Sequence, residues 1–205
     1  MEPISQLPSL EIRSRIERIQ AITIAWMIIE AAVSIFAAWG AKSPALFAFG
    51  GDSAVELLSA MVVLWQFSFA VRNLNVERRA AQIAGALLFA LAVFVTVTSV
   101  MTLLGHSESR PSYLGIAILI GATAIMPWLA SQKRKLSCET GSAALRADAA
   151  QSGLCAYLSL IALFGLVANA IWHVAWADPI AALAVTPLIL WEAKETFKGR
   201  PCQCS

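Results

Sequence analysis

Charge is scarce in this sequence. Asp, Glu, Lys and Arg make up 14% of its 205 residues against 59% apolar ones, where a soluble domain carries about 25% charge. That shortage, with a mean hydropathy of +0.70, excludes an ordinary soluble domain and reads as an integral membrane protein. Cysteine is sparse too. The four present include no Cys-x-x-Cys pair, so a thiol redox enzyme and a disulfide framework both drop out. The order Phe49-Gly50-Gly51-Asp52 is not the Gly-x-Gly-Asp of intramembrane aspartyl proteases, and no Tyr-Asp pair occurs. Too little polar sequence lies outside the apolar runs for a separate soluble domain, and residues 1–20 lack the apolar centre of a cleavable leader. A net charge of +2 gives no reason to invoke nucleic acid.

Apolar length is what the chain has. Six runs, at residues 21–41, 44–71, 80–104, 113–130, 143–171 and 174–193, each approach or exceed the roughly 20 residues that cross a bilayer core. The expected fold is therefore an all-α bundle of six transmembrane helices with both termini cytoplasmic. Residues 1–20 form an N-terminal tail, 21–193 the membrane domain and 194–205 a short C-terminal tail. Orientation follows from the basic residues. With the N-terminus inside, Arg13, Arg15, Arg18, Arg72, Arg78, Arg79, Lys133, Arg134, Lys135, Arg146, Lys194, Lys198 and Arg200 are cytoplasmic, and only Lys42 and Arg110 lie outside. A multi-pass protein of a bacterial inner membrane is expected, with the lipid bilayer as its first partner.

The connections carry little chemistry. Residues 74–79, 106–112 and 132–142 are expected as loops. In the last, Lys133, Arg134 and Lys135 suit anionic headgroups. Pro127 is expected to kink the end of span four. His106 and His173 fall at the outer surface. Cys138, Cys202 and Cys204 fall on the reducing side, where Cys202 and Cys204 are a candidate tail contact for a soft metal, though two ligands make an incomplete site. Residues 31–38, rich in small side chains, suit helix packing within a chain or between two copies.

Carboxylates at bilayer depth are the chemistry. Each costs on the order of 2.5–3.5 kcal/mol on insertion scales and needs a cation or proton as partner. Asp52, Glu56 and Ser59 stand at i, i+4 and i+7, one stripe of span two. Span five repeats the arrangement with Asp148, Gln151, Ser152, Cys155 and Ser159. Like charges one turn apart repel unless a cation bridges them or one is protonated. Donors from the two spans could make a site for a borderline divalent ion such as Zn²⁺ or Cd²⁺. The bland alternative is an acid pair that is protonated or held by Arg and only joins two helices, and no Arg or Lys of span two is available for it. Glu30 is the remaining intramembrane acid, with a helix-pairing role as its plain reading.

At these residues the chain resembles the cation diffusion facilitator family of divalent metal exporters. Gly51-Asp52-Ser53-Ala54-Val55-Glu56 stands where that family has its [His/Asp]-x-x-x-Asp pair, and Ala147-Asp148-Ala149-Ala150-Gln151-Ser152-Gly153-Leu154-Cys155 where it has Ala-Asp followed by His-x-x-x-Asp. Glu77-Arg78-Arg79-Ala80, Gly85-Ala86-Leu87-Leu88 and Trp176-Ala177-Asp178-Pro179-Ile180-Ala181-Ala182 extend the likeness over roughly residues 20–198. The resemblance implies metal ligands at Asp52, Glu56, Gln151 and Cys155. Asp148 would be a substitute ligand or proton acceptor, and Glu30, Ser59 and Ser152 would support the site or relay protons.

The same resemblance implies metal/proton antiport by alternating access, with Zn²⁺ first among substrates and Cd²⁺, Fe²⁺, Co²⁺ and Mn²⁺ also admitted. No resident cofactor is expected, and a homodimer is the family's habit. Glu for Asp, Gln for His and Cys for Asp alter the site without erasing it. The cytoplasmic domain that usually follows span six is expected to be missing. Those departures keep a second reading open, a membrane protein that senses metal or binds a partner without transporting.

Overall fold

The computed structural model describes residues 10–69, 74–105 and 109–198. They form six helices: α1 (Leu10–Ala41), α2 (Pro44–Phe69), α3 (Leu74–Leu103), α4 (Tyr113–Thr140), α5 (Ala143–Trp172) and α6 (Ala177–Lys198). An apolar segment without water must satisfy its backbone internally, and the helix does so within one segment. Five of the six are long and apolar enough to cross a membrane. The exception is α6, which places Asp178, Glu192 and Lys194 along a helix of 22 residues.

Helices run further than the expected spans. Span four was expected to end at residue 130, but α4 continues past Pro127 to Thr140. The expected loop 132–142 shrinks to Gly141, at φ 63°, and Ser142, whose hydroxyl caps α5 by accepting from the Leu145 amide. Residues 74–79, expected as a loop, open α3, and α6 continues to Lys198 into the expected tail. His106, Cys202 and Cys204 lie outside the described residues.

Contacts divide the bundle in two. α1 packs on α2 and α4, and α5 closes the ring by packing on both α4 and α2. α3 and α6 pair with each other and lean on this ring through α2 and α5. Two glycines permit the close approach. A Cβ on Gly85 of α3 would stand 2.9 Å from the Ala193 carbonyl oxygen, and one on Gly165 of α5 would stand 2.5 Å from the Ala181 Cβ. Such small-residue contacts let helices pack without a hydrophobic driving force between them. Phe36, Trp39, Phe89, Phe94, Tyr157 and Phe164 point outward as an apolar belt.

Asp178, at the start of α6, ties one end of the bundle. It accepts hydrogen bonds from Ser43 Oγ (2.6 Å) in the α1–α2 turn and from Ser109 Oγ (3.0 Å) before α4. The Arg110 amide donates to the Ala41 carbonyl at 2.8 Å, and Asn169 Nδ2 donates to the Ser109 carbonyl at 3.2 Å. This end holds the C-terminus of α1 and the N-terminus of α2, so it lies opposite the N-terminal end of the bundle.

Candidate metal site

Helical spacing brings the acids of α2 inward. Asp52 and Glu56 lie one turn apart and both are fully buried, while Ser59, one turn further, is only half-buried and takes no hydrogen bond from the cluster. From α5 come Asp148, Ser152 and Cys155, all fully buried, and Gln151, buried but with its Nε2 unpartnered. α1 contributes Gln20 and Glu30. Ten residues separate those two, about 15 Å of helix at 1.5 Å per residue, so the cluster is extended along the bundle axis.

Glu30 sits in the half nearer the Asp178 end. Its Oε1 accepts from Ser53 Oγ (2.6 Å) and from Cys155 Sγ (3.5 Å), and its Oε2 accepts from Trp26 Nε1 (2.5 Å). Glu30 thus holds the thiol of Cys155. Asp52 lies between the halves. Both of its oxygens are buried without a hydrogen-bond partner, although it is close enough to Glu56, Glu30 and Cys155 to interact with them.

The other half centres on Lys133. Expected at the headgroups, this side chain instead turns inward from α4 and is fully buried. Its Nζ donates to Asp148 Oδ2 at 2.9 Å, to Ser152 Oγ at 2.7 Å and to Glu56 Oε1 at 3.4 Å. Ser152 passes its own hydrogen to Glu56 Oε1, and Gln20 Nε2 donates to Asp148 Oδ2 at 2.8 Å. The reason is electrostatic: a lysine left at the surface would leave two buried carboxylates without a counter-charge. The cation missing from span two comes from span four.

Glu192 of α6 was not foreseen either. It is buried within range of the charges on Asp52 and Glu56. An acid inside the last apolar run was the available signal. Among the described residues, five carboxylates of the cluster, on Glu30, Asp52, Glu56, Asp148 and Glu192, are buried, and the Lys133 ammonium pairs with two of them, Glu56 and Asp148. Asp52 Oδ1 and Oδ2, Glu56 Oε2 and Asp148 Oδ1 accept no hydrogen bond. Such a set can take up a cation or protons, since unpaired buried carboxylate is expensive in either case. Among the described residues, no three His, Cys, Asp or Glu side chains are drawn together as a metal cluster.

A helical membrane bundle with a buried acidic cluster defines the class. The family model for the cation efflux transmembrane domain matches residues 21–199, and the chain belongs to that family. It is 28% identical over 151 residues to an uncharacterised transporter of Synechocystis sp., covering 68% of this chain and 48% of that protein. It is 22% identical over 186 residues to the manganese efflux system protein MneS of Bacillus subtilis, covering 86% of this chain and 64% of that protein. The chain thus spans less than two thirds of the length of either relative. Both the family and these relatives are described as transporters rather than enzymes.

Proposed function

We propose that the chain carries a divalent metal ion out of the cytoplasm in exchange for protons, with Asp52, Glu56 and Cys155 as the central ligands. The observation that carries this reading is Asp52, wholly buried in an apolar bundle with both oxygens lacking a hydrogen bond. Metal and proton would use the same atoms, so binding one releases the other. Asp148 and Gln151 flank this centre, and Glu30 would hold the Cys155 thiol or accept its proton.

The donors bear on the ion. The family resemblance implies Zn²⁺ first, but the surrounding side chains are mostly carboxylates, with Glu192 adding to those on α1, α2 and α5. Oxygen-rich sites suit Mn²⁺, and thiolate suits softer ions. The manganese efflux relative supports the same choice. Mn²⁺ therefore leads, with Zn²⁺ and Cd²⁺ as comparisons.

The test is uptake into proteoliposomes under an imposed pH gradient, with Asp52→Asn as control. Gradient-driven Mn²⁺ flux that disappears with Asp52→Asn is expected. The Lys133 contacts favour one other reading, a metal sensor or partner-binding protein whose acids are already partly neutralised. Folded protein that moves no ion in either direction would establish that second reading over the first.

A further inference from the structure

An ammonium group has three N–H donors, and the three contacts of Lys133 use all of them: Asp148 Oδ2, Ser152 Oγ and Glu56 Oε1. Its coordination is complete, all of it oxygen, and its side chain has no exposure. We propose that Lys133 is a tethered cation that occupies the Glu56–Asp148 half of the acidic cluster and competes with the divalent ion for Glu56. This rests on the metal-binding reading of the same site and adds the residue that limits it.

The pairing is asymmetric. Asp148 Oδ2 receives Lys133 at 2.9 Å and Gln20 at 2.8 Å, whereas Glu56 receives Lys133 at the longer 3.4 Å. Asp148 is therefore the anchor and Glu56 the contact that yields. Of the four free carboxylate oxygens of the cluster, Asp52 Oδ1 and Oδ2 and Glu56 Oε2 belong to the two acids of α2, and Asp148 Oδ1 belongs to the anchor. An ion that takes both α2 acids meets the ammonium across Glu56, and repulsion between the two cations in a low-dielectric site weakens its binding. Lys133 thus sets how many carboxylates the ion can use and holds the affinity low enough for release.

Calorimetric titration of the purified full chain with Mn²⁺ tests this, comparing the wild type with Lys133→Met/Asp148→Asn. The double variant removes the ammonium together with its anchor, so no charge of that pair is left unpartnered. At least about tenfold tighter binding by the double variant is expected, equivalent to about 1.4 kcal/mol. Tighter binding supports the proposal even if the wild type itself binds too weakly to measure. Equal or weaker binding by folded variant overturns it and leaves the metal reading standing. Binding by neither protein overturns both. Should the variant not fold, the wild type labelled with ¹⁵N at lysine Nζ decides by NMR. Saturating Mn²⁺, or Zn²⁺ where paramagnetic broadening intervenes, must move the Lys133 ammonium resonance, and an unmoved resonance overturns the proposal.

Discussion

The Lys133 ammonium stands 2.9 Å from the Asp148 carboxylate, and neither side chain has any exposure. α4 and α5 are joined by a two-residue connection, yet this ion pair faces the inside of the bundle. Breaking a buried pair from one side costs about 3–5 kcal/mol because the remaining charge is stranded. Lys133→Met strands both Asp148 and Glu56 and should fall in that range. Asp148→Asn leaves Lys133 with Glu56 and should cost about 1–2 kcal/mol. The double variant should cost less than the sum by at least about 1 kcal/mol, measured by thermal unfolding in one detergent.

Asp52 should behave in the opposite way. Its oxygens have no hydrogen-bond partner, so Asp52→Asn removes an uncompensated buried charge. Stability without metal should rise by about 1 kcal/mol, while metal-dependent stabilisation and flux disappear. Unfolding curves with and without Mn²⁺ read both effects in one experiment.

Asp178 ties one end of the bundle through Ser43 and Ser109. Asp178→Asn loses charge-assisted bonds from Ser43 and Ser109 and should cost about 2 kcal/mol. Mn²⁺ flux per folded molecule should stay unchanged. A selective loss of flux with stability intact would move Asp178 into the transport path.

Cys155 is the soft donor of the cluster. Cys155→Ser keeps size and polarity but removes sulfur, so Cd²⁺ affinity should fall about tenfold while Mn²⁺ affinity holds within about twofold. Competition between the two ions for the purified protein measures the ratio. An unchanged ratio would take Cys155 out of the ligand set and leave it as the Glu30 contact seen here.

Much of this was legible in local pattern. The six apolar runs became six helices, and Asp52, Glu56, Asp148, Ser152 and Cys155 are all buried as their spacing required. Both depend on neighbours along the chain, since run length and the helical period are local properties. Ser59 followed the same stripe but only reached its half-buried edge, because a stripe names a direction and not a depth.

Lys133 marks where that reading stopped. In the sequence it is one of three basic residues beyond an apolar run, identical in kind to Arg134 and Lys135. Its partners are 15, 19 and 77 residues away, in two other helices. Glu192 reaches the same cluster from α6, 140 positions from Asp52. Composition and periodicity determine that this chain crosses a membrane as helices and carries acids inside it. Which cation answers those acids depends on how four helices close around α2, because charge is neutralised through space and not along the chain.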